Sequence, residues 1–328
     1  MNSKKPTPIR KTVALRNNMD VTGLVHTFLR ADGVGTPVSR QYFTTDPVLL
    51  PLELAGKTSL FHPRKIVYRV PAAARAVAMA LERPDHSVGG MSALAIYGLR
   101  YFVDSCDTAL YGPVAKTEFG SVYAPTVFRA SDRELWVVRY QGHKIRISTP
   151  YDALTEALKH LRQGINAWEA HSIAGVDPGT VRAIQLVDAC RRRFDLDPLQ
   201  IEQAGKQRLA QRWLRKVLRL SSDGSDSPKE TEMRLLCSAV CQAHRLELKE
   251  QVALIDDGKI LTVFDLALPE LKIGIMYDGE DHLSRQRRNR DSRINMRAAI
   301  FGWTVLRVSK ETLGAVGKAL DELIRRRS

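Results

Sequence analysis

The chain has 328 residues, 44% of them hydrophobic, with 50 Lys and Arg against 36 Asp and Glu, for a formal net charge of +14. That length exceeds what one small core needs, so two domains are expected, and the ordinary Gly and Pro content speaks against a fibrous or low-complexity chain. No apolar run approaches the roughly 20 residues of a membrane span, and the basic start Met1-Asn2-Ser3-Lys4-Lys5-Pro6 lacks the apolar core of a signal peptide, so a cytoplasmic protein with no membrane partner is expected.

Residues 1–16 read as a basic, disordered tail: Lys4, Lys5, Arg10, Lys11 and Arg16 occur there without an acid. Residues 17–220 read as a mainly helical α+β region. A short helix is expected over Asp20–Ala31, a strand over Ile66–Pro71, and Ala-rich or apolar helices over Ala72–Arg83 and Ser92–Leu99. Between Ala109 and Ile147 the alternation turns to strands, at Thr126–Phe128, Leu135–Tyr140 and Lys144–Ile147. Thr149-Pro150 opens a helix running to about Arg162. Helices over Pro178–Phe194 and Pro198–Ala204 follow, the latter leading toward a basic helix, Lys206–Leu220.

The small, polar stretch 221–227 is a candidate linker, and a second domain is expected over 228–328. Ser227-Pro228-Lys229-Glu230 has the form of a helix start, with a Ser cap, Pro in the first turn and Glu three residues past the cap. That helix should reach about His244. Strands Leu248–Ile255, Leu261–Leu268 and Leu271–Tyr277 come next, the first two joined through Asp256-Asp257-Gly258-Lys259. A basic helix over Arg285–Phe301, a strand over Trp303–Val308 and a helix over Glu311–Arg327 complete the order α-β-β-β-α-β-α. Cys237 and Cys241 share a helical face, but no further ligands stand at zinc spacing, so the four cysteines read as buried free thiols.

Two features point to chemistry. Asp265 interrupts an apolar strand, and the next strand ends in Tyr277-Asp278-Gly279 with His282 three residues on. A strand gains nothing in packing from an isolated carboxylate, and a second acid and an imidazole nearby favour a site. The second feature is the distribution of charge. Residues 227–328 hold 18 basic against 15 acidic residues, and the other 226 hold 32 against 21. Lys206, Arg208, Arg212, Arg215, Lys216 and Arg219 fall in an acid-free stretch, the footprint of a polyanion such as DNA or simply of a solvated face. Arg287, Arg288 and Arg290, beside the acidic motif, suit phosphate contacts or, again, a solvated face. Trp213 reads as core rather than as a base-stacking ring, and Gly302-Trp303 as architecture.

These motifs carry a resemblance. Ser-Pro-x-Glu-Thr opening a helix, Arg234 one turn on, Gln251, Asp265, Tyr-Asp-Gly-x-x-His, Asp291 and Gly302-Trp303-x-Val305-Leu306-Arg307 resemble, in order, the Vsr-like, very-short-patch-repair group of endonucleases. That group belongs to the restriction-endonuclease-like PD-(D/E)XK superfamily. The resemblance implies a mixed α/β fold over 228–328, a mixed sheet flanked by helices. Residues 17–220 resemble more weakly the type IV abortive-infection antitoxins, through Gly56 to Pro71, Ser92-Ala93 before Tyr97-Gly98-Leu99, and Thr149-Pro150. DNA is the implied partner, with a partner toxin or a second copy of the chain as open alternatives.

The resemblance also implies a hydrolytic site that uses Mg²⁺ or Mn²⁺. Asp265 is the expected metal ligand, joined by the Tyr277 carbonyl and Asp278; His282 is the expected general acid or base, and Glu230 a hydrogen-bond acceptor for a metal-bound water. A capping box alone would equally explain Glu230. Met276 stands where many of the superfamily carry a second acidic ligand, and a thioether does not bind hard Mg²⁺. Two readings therefore stand open: a metal-dependent DNA endonuclease or nickase, and a catalytically inactive DNA-binding regulator of antitoxin type.

Overall fold

The structure, a computed structural model, describes residues 12–47, 49–113, 119–130, 133–279 and 285–327. Its elements begin with α1 (Thr22–Val25), β1 (Thr36–Pro37), β2 (Phe43–Thr44), α2 (Leu52–Ser59), α3 (Ala72–Glu82), β3 (Ser87–Val88) and α4 (Gly90–Ile96). Then come β4 (Ala109–Gly112), β5 (Thr126–Arg129), β6 (Leu135–Tyr140), β7 (His143–Ser148), α5 (Pro150–Arg162), α6 (Pro178–Phe194), α7 (Pro198–Ala204) and α8 (Gln211–Leu220). The C-terminal part adds α9 (Pro228–Ala243), β8 (Lys249–Asp256), β9 (Lys259–Leu268), β10 (Ile273–Tyr277), α10 (Arg285–Ile300), β11 (Thr304–Val308) and α11 (Val316–Arg327). The fold is mixed α/β. Among the described residues no helix is long and apolar enough to cross a membrane, and all four cysteines are buried and free.

Local chemistry sets several helix starts. Thr149, Asp197 and Ser227 each accept a backbone N–H from the third residue beyond, and each is followed by Pro in the first turn. Such caps contribute roughly 1 kcal/mol apiece.

The chain separates into two compact units. The larger holds 12–170 and 182–221. Its five-stranded mixed sheet has the order β5-β4-β3-β7-β6. The fully buried Arg75 satisfies its guanidinium on the carbonyls of Val70, Cys106 and Asp104 and stacks on the Tyr68 ring. Asp107 collects hydrogen bonds from His62, Tyr68, Thr126 and Arg64. Burial opposes its charge, but the bonds from His62, Tyr68 and Thr126 outweigh that and hold its carboxyl well below the usual range. Both groups therefore tie loops to the core as satisfied structural ions.

The smaller unit holds 171–181 and 222–327 of the described chain. Its sheet runs β11-β10-β9-β8, with β8, β9 and β10 antiparallel in turn and β11 parallel to β10. Leu266, Leu268, Ile273, Ile275 and Val308 pack with Met233 and Cys237 of α9 and Leu320 and Ile324 of α11. Phe264, Ala267, Leu254 and Ala298 of α10 form a separate cluster with Val252, Met276, Trp303 and Val305. Helices thus cover both faces of the sheet.

These clusters expose a break in strand alternation. Side chains of a regular strand keep one parity per face. On β9, however, Phe264 packs in one cluster and Leu266 in the other. Across the ladder Leu248 and Val252 divide the same way. Both strands turn over between the pairs Glu250↔Leu266 and Val252↔Phe264, which places the inversion at Gln251 and Asp265.

Three sequence expectations need correction. The helix over Asp20–Ala31 is only the single turn Thr22–Val25, because tertiary partners claim the backbone beyond it. Tyr140 Oη donates to Thr27 O and accepts from Leu29 N–H, and Asp46 accepts from Phe28 N–H. Ile66–Pro71 joins no sheet; the Leu50 N–H donates to Arg69 O, and Pro71 O accepts the Arg75 N–H of α3. The basic helix begins at Gln211, so Lys206 and Arg208 lie in a turn that includes the left-handed Gln207.

Gly274 offers a test of the packing. A Cβ there would stand 2.6 Å from the ring of Phe264, which is fully buried and stacked on Trp303 at 4.9 Å between centroids. Strand preference alone would make Gly274→Ala stabilising. Overpacking reverses the sign, and urea unfolding should show a loss of about 1–3 kcal/mol.

Candidate functional site

The site grows from the place where β9 and β10 stop pairing. Their register ends at Ile275↔Leu266. Beyond it the Tyr277 N–H has no carbonyl opposite and donates instead to Asp265 Oδ2 at 2.7 Å. One residue on, the Asp278 N–H donates to Val308 O at 2.8 Å. Its carboxylate accepts from Arg307 Nη1 at 2.8 Å. Arg307 reaches this position because β11 runs parallel to β10, with Arg307 beside Met276. Its Nε also donates to Asn295 Oδ1 at 3.3 Å.

Glu230 enters from the first turn of α9. Ser227 accepts the Glu230 N–H, and Ser227 Oγ donates to Glu230 Oε1 at 2.9 Å. Glu230 Oε2 accepts the Asp226 N–H at 2.8 Å. This is a capping box shifted by one residue, since the reciprocal bond falls on the residue before the cap. The polar stretch before α9 is packed: Ser225 is buried, and a Cβ on Gly224 would collide with the Glu250 side chain. Arg234 ties the same segment to β8, with Nε 3.5 Å from Ser225 Oγ and 3.6 Å from Glu250 Oε2.

Electrostatics joins these groups into one cluster. Burial raises the Glu230 carboxyl to about 8, with the charge of Asp265 adding to the shift. Burial raises Asp265 to about 6; the Tyr277 N–H opposes this, Asp226 and Asp278 push it further up, and Arg307 pulls it down. Acidic groups therefore share one region with Arg307 as the cation acting on Asp265.

Several predicted residues stand together here: Glu230, Asp265, Tyr277 and Asp278. His282 lies outside the described residues, as do the side chains of Arg287, Arg288 and Arg290. Met276 packs in the apolar cluster of Phe264 and Trp303. In the larger unit, Lys206, Arg212, Arg215 and Arg219 are exposed, and Arg215 also pairs with Glu202 at 2.7 Å. Arg208 is instead committed to an ion pair with Asp152, and Lys216 is half-buried. Trp213 is half-buried beneath the Arg162 guanidinium, 4.9 Å from its ring centroid.

Two further residues act on Asp265 without having been assigned to the site, Asp226 and Arg307, and Gln251 stands opposite Asp265 on the ladder. Arg307 carried the signal that singled out Asp265, a polar side chain within an apolar strand, whereas Gln251 follows Lys249 and Glu250 and stood out only as a position of the resemblance. Asp226 carried none, because it sits in a stretch with the composition of a linker.

The donor set fits a hard divalent cation. Asp265 and Asp278 are carboxylates, the Tyr277 backbone lies between them, and a cation would offset the burial, and the repulsion added to it, that raise Asp265 and Glu230. Among the described residues no three His, Cys, Asp or Glu side chains are grouped closely enough to hold an ion unaided. Mg²⁺ commonly takes one or two protein oxygens and keeps several waters. No family model, curated protein or solved structure matches this chain.

The raised carboxyls give stability a definite pH dependence. Without divalent ions the folded state holds these protons more tightly than the unfolded chain, whose values are near 3.8 and 4.5. Their contribution is complete below those values and is lost as pH rises through about 6 for Asp265 and about 8 for Glu230. Glu230→Gln should therefore melt a few degrees above wild type near pH ~9, an advantage that shrinks toward pH ~4. A pH-independent difference in melting temperature would show that Glu230 acts only as a cap.

Proposed function

We propose that the 222–327 unit is a metal-dependent DNA endonuclease or nickase and that the larger unit contributes nonspecific affinity for DNA. One observation carries this reading: the buried Asp265 interacts with Glu230 on one side and Asp278 on the other where two central strands part, and of these carboxylates only Asp278 has a direct cationic partner among the described residues, Arg307. Asp265, Asp278 and the Tyr277 carbonyl would hold Mg²⁺ or Mn²⁺. Such an ion, when bound, activates water and neutralises charge developing on a phosphodiester.

The chain's own residues have separable tasks. The Tyr277 N–H fixes the Asp265 carboxylate. Arg307 fixes Asp278 and favours ionised Asp265. Glu230, held at the head of α9, accepts a hydrogen bond from water and takes up a proton near neutral pH. His282 is the further candidate for proton transfer. Lys206, Arg212, Arg215 and Arg219 contact phosphates without reading sequence.

A second reading has its own support. Met276 is packed in an apolar cluster, so the position that carries an acid in many of the resembled nucleases serves the core here. A DNA-binding regulator that retains the fold without cleavage is consistent with that.

Supercoiled plasmid in Mg²⁺ or Mn²⁺ separates the readings. The endonuclease reading expects nicked or linear product from wild type. Asp265→Asn keeps an acceptor for the Tyr277 N–H while removing the charge, and should slow cleavage by about a hundred-fold or more. Nicking that persists in Asp265→Asn places the activity elsewhere. Binding without cleavage in either metal favours the regulator. Separately, neutralising Lys206, Arg212, Arg215 and Arg219 should reduce the slope of log affinity against log salt by roughly 3. An unchanged slope would leave this surface a solvated face.

A further inference from the structure

Gln251 is anomalous in two independent ways. Its backbone is left-handed, with φ of 52°. Other non-glycine residues of this kind among the described residues lie in turns, loops or helix ends; Gln251 alone lies inside a strand. Longer side chains reach that conformation at a cost, which persists only where the surroundings enforce it. The second anomaly is its side chain. Gln251 Nε2 is buried and has no hydrogen-bond partner among the described residues. A buried amide donor left unmatched is costly and uncommon in a native fold.

Both anomalies fall at one place. The pairs Glu250↔Leu266 and Val252↔Phe264 set Gln251 opposite Asp265, where both strands turn over. The neighbours on the ladder are satisfied: Glu250 meets Arg234, and Val252 packs in the apolar cluster. Nothing in the core needs an amide between them. An amide nitrogen can only donate, so its missing partner is an acceptor. A metal-bound water is chiefly a donor, whereas a non-bridging phosphate oxygen is an acceptor and carries charge.

We propose that Gln251 contacts the substrate, its Nε2 donating to a non-bridging oxygen of the DNA phosphate held beside Asp265. The inference rests on the endonuclease reading above and adds to it a residue that positions the phosphate group. The left-handed residue falls opposite Asp265 on the ladder, so its strain is assigned to binding rather than to stability.

The test uses the full chain, Gln251→Gly and the near-isosteric Gln251→Glu, with thermal melting without divalent ions and plasmid nicking in Mg²⁺. Glycine accepts the left-handed backbone and removes the unmatched donor, so Gln251→Gly should melt higher than wild type. It should also nick about ten- to a hundred-fold more slowly, the value of one hydrogen bond to a charged oxygen. Gln251→Glu keeps the length but loses the donor and repels phosphate, so it should nick at least as slowly as the glycine variant. A wild type that nicks while either variant nicks equally fast overturns the inference and leaves the endonuclease reading standing. A wild type that cleaves in neither Mg²⁺ nor Mn²⁺ overturns both.

Discussion

The hydrogen bond from the Tyr277 N–H to the Asp265 carboxylate is the interaction on which the smaller unit's site depends. Strands β9 and β10 cease to pair just before it. An open ladder would leave a backbone donor unmatched in a half-buried position, at a cost of roughly 1–3 kcal/mol. Asp265 supplies the acceptor from a side chain, so the strands can diverge without that penalty. The divergence brings a carboxylate, the end of β10 and the following Asp278 into one region. The Asp278 carboxylate is fixed in turn by Arg307 from the parallel neighbour.

The same geometry accounts for the residues packed around the site. Inversion of alternation at Gln251 and Asp265 lets one pair of strands serve two cores. On one side of the inversion Leu266 and Leu268 meet α9 and α11; on the other Phe264 and Val252 meet the α10 cluster. Gly274 is small because Phe264 crosses over it, and Met276 is apolar because it completes that cluster. The larger unit manages buried charge differently. Arg75 and Asp107 are fully paired, and neither is left for a ligand. Carboxyls raised by burial and by one another in the smaller unit, Glu230 and Asp265, against fully satisfied ions in the larger distinguish a candidate site from structural networks.

The sequence by itself determined the elements whose causes are local. The helices at Pro150, Pro198 and Pro228 begin where a cap and a proline dictate, and the strands of the smaller unit follow apolar runs and turn chemistry. It also singled out Asp265 and Asp278, since polar groups within or beside apolar segments need a reason that packing does not give; Glu230 entered through the resemblance, with its role as a cap left equally open. Tertiary structure alone decided the rest. The segment after Val25 left helix because Tyr140 and Asp46, distant in sequence, bind its backbone. Arg208 left the basic surface because Asp152 lies beside it in space. Asp226 joined the carboxylates, and Gln251 came to stand opposite Asp265, through strand pairing and the packing of a polar segment. Capping and alternation act over three or four residues and can be read along the chain. Charge balance, unmatched donors and strand inversion depend on which distant residues meet, and only the folded arrangement sets that.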